Sequence, residues 1–408
     1  MKKLLLSIPA VLAGFLATAQ AVDDSVAIGE GYANQAFYNM ETGEVANVDN
    51  NNWDMAFDVS AFGATVRLNR RLDELFVYPG DTTNWESLDT AGMGSWDTYA
   101  NGYMAWGEGA FNAPANPDVA EDLGWGLYNT ITHHTDGDRI FVLSLGDGGY
   151  KKVWIKKLAS GTYTFVHANL DNTEEEEVTV LKSDYTGKNF AYYSLATAEA
   201  LDREPASADW DIVFTNYVVE VAPTYFYGVT GVLSNVETTV YKSEGAPVDE
   251  ADYVGGSFET NISEIGYDWK TFDMGTFSYI IEDSLCYFIQ TQAGDLWKLT
   301  FTGFNGSSDG KYYFTKEKVE AASLEENVEA IVSVYPNPAN QVVNLNGLNA
   351  SFERVELFNS NGQLVYTANA NGQSHVEIAV DQLPEGLYIL RSTVENATTN
   401  TQKIVIRH

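Results

Sequence analysis

The sequence predicts a mainly β protein, built as two β-rich domains in tandem followed by a small Ig-like β-sandwich. Three observations carry this. Aromatic residues make up 13% of the chain, with 34 glycines and only 20% charged residues, a balance that suits half-buried pleated surfaces joined by tight turns. Short runs alternate apolar and polar side chains between Gly, Asn and Asp turns, the two-residue period of a strand with one buried face. One set of landmarks occurs twice. A length of 408 residues allows two or three domains, and a hydrophobic content of 45% is enough for real cores, which excludes global disorder.

The N-terminus reads as a secretory signal peptide over residues 1–21. Lys2 and Lys3 precede an apolar run from Leu4 to Leu16, and Ala17-Thr18-Ala19-Gln20-Ala21 supplies small residues for cleavage after Ala19 or Ala21. The run is too short to span a bilayer, and no later stretch is long enough. No cysteine lies near the cleavage site, so no lipid anchor is expected. The formal charge of −34 becomes −36 once both lysines leave. Such a chain repels nucleic acid and anionic membranes and stays soluble outside the cell. Cys286 is the single cysteine, so the fold is expected to hold without disulfides, with Cys286 as a buried small hydrophobe in a strand.

The repeated landmarks divide the next 300 residues into 22–182 and 183–319. Phe37-Tyr38-Asn39-Met40 followed by Trp53-Asp54-Met55-Ala56-Phe57 reappears as Tyr192-Tyr193-Ser194-Leu195 followed by Trp210-Asp211-Ile212-Val213-Phe214. The closing hairpins also match. Phe141-Val142-Leu143-Ser144-Leu145 and Lys152-Val153-Trp154-Ile155 correspond to Tyr287-Phe288-Ile289-Gln290-Thr291 and Lys298-Leu299-Thr300-Phe301. Each copy then ends in an aromatic strand, Tyr163-Thr164-Phe165 or Tyr312-Tyr313-Phe314. The boundary falls in 171–183, where Glu174-Glu175-Glu176-Glu177 reads as a solvated linker or loop because four adjacent carboxylates repel one another. A calcium loop is the sharper alternative, but the run lacks alternating ligands and the turn glycine. Residues 320–330 read as a polar tether.

From residue 331 the text changes. Val334-Tyr335-Pro336-Asn337-Pro338 is a lead-in strand whose prolines bar it from a sheet interior. Asn361-Gly362 is a hairpin turn, and Val376, Ile378 and Val380 alternate along a strand. With Leu383-Pro384-Glu385-Gly386-Leu387-Tyr388 and the basic end Lys403-Ile404-Val405-Ile406-Arg407, residues 331–408 resemble the type A sorting domain of the type IX secretion system of Bacteroidota. The resemblance implies engagement of that secretion machinery, export across the outer membrane, removal of the domain on export, and a product secreted or attached to the outer cell surface.

The repeated region carries a second resemblance. Trp210-Asp211-Ile212-Val213-Phe214, Tyr227-Gly228-Val229-Thr230-Gly231-Val232 and Ile265-Gly266-Tyr267-Asp268-Trp269-Lys270 are similar to the HmuY family, and residues 53–57, 66–69 and 124–129 fit the same pattern more loosely. Some members of that family take up haem through two axial side chains, so haem is the ligand class this resemblance implies. Imidazole or thioether can ligate the iron. In the first copy the candidates are His133, His134 and His167, with Met104 as a substitute, and Arg67, Arg70 and Arg71 as cations for the propionates. Residues 183–319 hold no histidine, so a second bis-histidine site is excluded there. The plain alternative makes His133 and His134 solvent-facing loop residues.

Enzyme signatures are poor. There is no H-E-x-x-H, G-x-S-x-G or Walker A pattern, and Gly92-Met93-Gly94-Ser95-Trp96 lacks the closing glycine. Asp54 and Asp211 are read as turn-capping carboxylates beside packing tryptophans, in preference to a glycosidase pair. The expectation is a non-enzymatic exported binding protein with haem as its candidate ligand. The alternative is an adhesin or carbohydrate-binding protein using aromatics such as Trp96, Trp106 and Trp125, and an extracellular hydrolase ranks third.

Overall fold

The computed structural model describes residues 21–69, 73–146, 148–222, 225–319, 332–347, 351–360, 362–394 and 400–408. The chain is mainly β, and almost every described strand pairs antiparallel. It forms two compact units, Met1–Val319 and Glu320–His408.

The larger unit has two cores, here called lobes I and II. Alternation decides which side chains enter them. Along Lys311–Val319, Tyr312, Phe314 and Lys316 are buried and the intervening residues are not, as a strand with one covered face requires. Lobe I gathers Met55, Phe57, Phe111, Trp125, Phe141, Tyr163, Phe165 and Tyr193. Lobe II gathers Tyr38, Phe214, Trp269, Tyr287, Phe301, Tyr312 and Phe314. In each, a long sheet closes with a bulged hairpin. The register shifts between Ile155 and Lys157 in lobe I and between Phe301 and Gly303 in lobe II.

The sequence repeats occupy equivalent places, but each lobe draws on both sides of residues 182/183. Phe190–Ser194 pairs with Met55–Asp58, setting Tyr193 opposite Met55. Asn34–Asn39 pairs with Ile212–Ala222, setting Tyr38 opposite Ile212. Val22–Ala27 joins the edge of the last strand, Lys311–Val319, as Glu176–Leu181 joins Thr162–Asn169. The opening strands of each repeat therefore complete the other repeat's core. The two stretches are not separately folded bodies.

The Trp-Asp landmarks sit at these crossings. Asp54 accepts the backbone N–H of Leu195, and Asp211 accepts that of Met40 at 2.8 Å. Asn69 Nδ2 donates to the Trp53 carbonyl at 2.9 Å, and Asn235 Nδ2 to the Trp210 carbonyl at 2.8 Å. Both aspartates thus satisfy a buried donor of an exchanged strand, as the capping reading expects. Trp210 is buried, whereas Trp53 is only half-buried. It lies under the Arg203 guanidinium, 5.6 Å from the ring centre, at the seam between the lobes.

That seam is polar. Arg203 donates to Gln35 Oε1 at 2.8 Å and to the Asp49 carbonyl at 2.9 Å. Glu204 accepts from the Asn189 N–H at 2.9 Å and the Tyr192 hydroxyl at 2.8 Å. Burial pushes the Glu204 carboxyl up to about 7 despite those two donors.

The Glu174–Glu177 run is solvent-exposed and begins in a turn, as the loop reading expects, but it is not a linker between separately folded domains. Glu176 and Glu177 begin an edge strand of lobe I. Glu174 pairs with Lys151 at 2.7 Å, Glu177 pairs with Lys156, and Glu175 accepts from Trp85 Nε1 at 2.8 Å. Lysines on the adjoining hairpin draw the carboxylates apart, which the one-dimensional charge run does not reveal. Cys286 is buried in the strand Leu285–Gln290.

In the smaller unit, a three-stranded sheet (Val332–Tyr335, Val342–Gly347, His375–Ala379) and a four-stranded sheet share one apolar cluster. The lead-in strand stops at Tyr335, before Pro336. Gly362 has φ 75° and donates to the Asn359 carbonyl at 2.9 Å, closing a tight turn. Residues 1–20, the tether 320–330 and Asn361 lie outside the described residues.

Candidate functional site

Lobe I carries an open cleft of about 730 Å³ at one end, within the range of small-molecule sites. Three turns build it: Ala61 to Thr65, Thr132 to Thr135, and Leu158 to Gly161, with Tyr128 and Lys182 between them. Lys182 Nζ donates to the carbonyls of Ser60 at 2.7 Å and Gly63 at 2.6 Å. Burial lowers its ammonium pKa.

The equivalent end of lobe II is closed. In lobe I, hairpin register places Gly126 opposite Gly137 and Tyr128 opposite Thr135. In lobe II the same places hold Lys270 opposite Ile281 and Phe272 opposite Tyr279. The bulges make Leu158 the counterpart of Phe304. Tyr279 packs on Phe304 at 4.9 Å and on Phe272 at 5.1 Å, and Tyr32 stacks on Phe304 at 6.2 Å. Lys270 Nζ lies 4.1 Å from the centre of the Trp269 ring and 4.7 Å from that of Phe304, and burial lowers its pKa to about 7. Lobe I has small residues here. Added side chains would not fit at its glycines: a Cβ on Gly137 would meet the Ile155 carbonyl oxygen at 1.7 Å. The hairpin therefore lies flat on the Tyr150–Ala159 strand, pairing Thr135 with Leu158.

His133 and His134 both line this cleft. His133 has φ 57°, matching φ 52° at its counterpart Phe277. Its Nδ1 shares a 2.7 Å hydrogen bond with the Tyr128 hydroxyl, which orients the ring and leaves Nε2 for a ligand. His167 does not join them. It is 2% exposed, and its Nε2 contacts the Tyr193 hydroxyl at 2.9 Å. Burial, then the neighbouring Lys151, lowers its pKa. His167 pairs with Val153 and Thr135 with Leu158 on the same strand, five positions or ~16 Å apart. One iron needs axial nitrogens only ~4 Å apart, so the structure does not bring His167 together with His133 or His134 as an axial pair.

Arg67 is also committed elsewhere. It is buried, and its guanidinium donates to the carbonyls of Gly102, Ala105, Trp106 and Glu108 while lying 5.2 Å from the centre of the Trp106 ring. It holds the 102–108 loop and presents no free fork to a propionate. Arg70 and Arg71 lie outside the described residues. Met104 is exposed, and its carbonyl accepts from the Ile262 N–H at 3.0 Å. Of the candidate sugar-stacking aromatics, Trp125 is core, Trp106 is tied to the Ser234 carbonyl at 2.9 Å, and Trp96 packs edge-on against Tyr78.

Sequence reasoning missed Phe62, Tyr128, Leu158 and Lys182 as cleft residues. The available signal was the pair Gly126 and Gly137, small where the second repeat has Lys270 and Ile281. Among the described residues no cluster of His, Cys, Asp or Glu is arranged to hold a metal ion, and no helix is long and apolar enough to cross a membrane.

Residues 333–407 match the family of secretion system C-terminal sorting domains. The chain is therefore a cargo of the type IX secretion machinery, exported to the cell surface or beyond. Comparison with curated proteins gives no match. Among solved structures, dimeric latent PorU from Porphyromonas gingivalis aligns at 10% identity and a TM-score of 0.17, over 67% of this chain and 31% of that one. The BSP domain of a biofilm-associated protein aligns at 9% identity and a TM-score of 0.20, over 95% of this chain and 81% of that one. This chain thus spans about a third of the first of these structures, and at such scores neither carries an argument. The likeness of residues 30–319 to the HmuY family rests on the sequence motifs alone.

Proposed function

We propose that the exported protein is a non-enzymatic binding protein whose ligand site is the lobe I cleft, with haem as the ligand. The observation that supports this is the difference between the lobes: aromatic side chains fill the lobe II position, while its lobe I equivalent is open and lined by two imidazoles. His133 or His134 would supply an imidazole ligand to the iron, with His167 confined to the core.

Haemin titration of the purified protein tests this. A ligated Soret band should appear with wild type and vanish in the His133→Ala/His134→Ala double variant, while His167→Ala leaves it unchanged. An unshifted spectrum for wild type removes haem as the ligand. Export completes the reading: mass spectrometry of protein from the envelope or medium should find molecules lacking residues 331–408, and an intact His408 terminus in most of them would contradict cleavage.

A further inference from the structure

The two Trp-Asp landmarks open hairpins of very different length. In lobe I, Met55–Asp58 and Val66–Leu68 pair over three positions. Their lobe II counterparts, Ile212–Ala222 and Tyr225–Ser234, have 11 and 10 residues. Only Ile212 to Phe214 also pair with Asn34–Asn39. From Thr215 onward the described strand pairs with Tyr225–Ser234 alone, so the hairpin leaves its own sheet as a two-stranded arm. An isolated ribbon of this kind is marginally stable in water and needs a surface to lie on. This one meets the 98–113 loop of lobe I, and the two line an open cleft of about 570 Å³, within the range of small-molecule sites. The loop is held in place. Besides the four carbonyls gathered by Arg67, Asn101 Oδ1 accepts from Leu68 N and Ala110 N at 3.0 Å each. Gly102 N donates to the Glu108 carbonyl at 2.8 Å. A Cβ on Gly102 would meet Glu108 Oε2 at 2.0 Å, so the glycine leaves that carboxylate its place.

The lining carries one sign of charge. The loop supplies Tyr99, Tyr103 and Glu108, and the arm supplies Glu220 and Phe226. Those last two are cross-strand partners, hence neighbours on one face of the ribbon. Among the described residues no Lys, Arg or His lines this cleft. Ring faces and carboxylates favour the same guest, because the quadrupole of the one and the charge of the other both attract a cation. The net charge of −34 draws cations towards the surface as a whole. We propose that this cleft binds an organic cation, an ammonium or guanidinium on an apolar stem, with Tyr99, Tyr103 and Phe226 supplying ring faces and Glu108 and Glu220 the countercharge. The site is separate from the lobe I cleft. The two share only Gly107 and Asn112 in their linings, and carboxylates here would repel the propionates of a haem.

Isothermal titration of the full-length chain tests this with three probes: choline, its neutral isostere 3,3-dimethyl-1-butanol, and a Gly-Arg-Gly peptide capped at both ends. At least one cation should bind, and the isostere should bind ~10-fold more weakly than choline where choline binds. Phe226→Leu keeps an apolar side chain but removes the ring, and Glu108→Gln keeps the shape but removes the charge. Each should weaken cation binding ~3-fold or more. Glu108 is exposed, so the Gln variant should melt with wild type and carries the test even if Phe226→Leu unfolds. Choline binding alone identifies a free small cation as the guest, and peptide binding alone identifies a basic segment of another chain. Either sustains the proposal. It is overturned if neither cation binds, or if the isostere binds as tightly as choline. It is also overturned if both variants bind like wild type, since the attraction then belongs to the acidic surface at large.

Discussion

Lobes I and II are built from equivalent strands around equivalent aromatics, yet one ends in an open cleft and the other in a plug of its own side chains. Phe57 lies 5.0 Å from Tyr163 and 5.1 Å from Phe165, while Phe214 lies 4.9 Å from Tyr312 and 5.6 Å from Phe314. The shared part is the interior, where packing constrains volume and any change is felt. The divergent part includes the end hairpin, where Gly126, Thr135 and Gly137 stand in place of Lys270, Tyr279 and Ile281, and the neighbouring strand, where Leu158 stands in place of Phe304. The lobe I cleft lies where small side chains stand at positions that its twin keeps filled.

The largest expected effect probes the shared interior. Trp125→Ala and Trp269→Ala each leave a large cavity and should cost ~3–5 kcal/mol. Trp125 also loses its 2.8 Å hydrogen bond to the Ala64 carbonyl. Because strands are exchanged, urea unfolding of either variant should remain one transition monitored over both lobes. Two separate transitions would break the picture of interlocked cores.

Next is the seam. The folded-state pKa of Glu204, about 7, lies above its ordinary value, so the folded form binds the extra proton. Its contribution is therefore fully present below about pH 4.5 and is lost as pH rises through about 7, on the order of 3 kcal/mol in all. Glu204→Gln should flatten the stability profile in this window. A variant that tracks wild type there would remove Glu204 from the account.

The crossings give a smaller effect. Asp54→Ala and Asp211→Ala each strand a buried N–H, on Leu195 and Met40, and should cost ~1–3 kcal/mol in chemical denaturation. Unequal costs would show that the two crossings are not energetic equivalents.

The smallest effect sharpens the divergence itself. Thr135→Tyr with Leu158→Phe writes the lobe II residues into lobe I and should weaken haemin binding ~10-fold, about 1.4 kcal/mol, with a lower melting temperature because Thr135 is buried. Unchanged binding would move the site out of this cleft.

Much of this was legible in the sequence. The strands announced themselves by alternation, the repeats by Trp53-Asp54 and Trp210-Asp211, and export by the motifs from Pro336 to Arg407. The pairing partners were not legible. Alternation tells which face of Phe190–Ser194 is buried but not against which core, because register and neighbours are fixed by contacts far away in the chain. The same blindness grouped His133, His134 and His167. All three lie in or beside one sheet, and only the register of the Tyr150–Ala159 strand shows that they occupy opposite ends of it. Arg67 read as a free cation because nothing in its own strand indicates that four carbonyls of the 102–108 loop converge on it.

The strand exchange also sets an order of events at birth. Val22–Ala27, the first described strand, has its place beside Lys311–Val319, nearly three hundred residues later. Lys316 closes on the Met40 carbonyl across 276 positions. Lobe II cannot be completed until residue 319 has been made, and by then lobe I has had all of its strands since residue 201. Such distant closure slows folding.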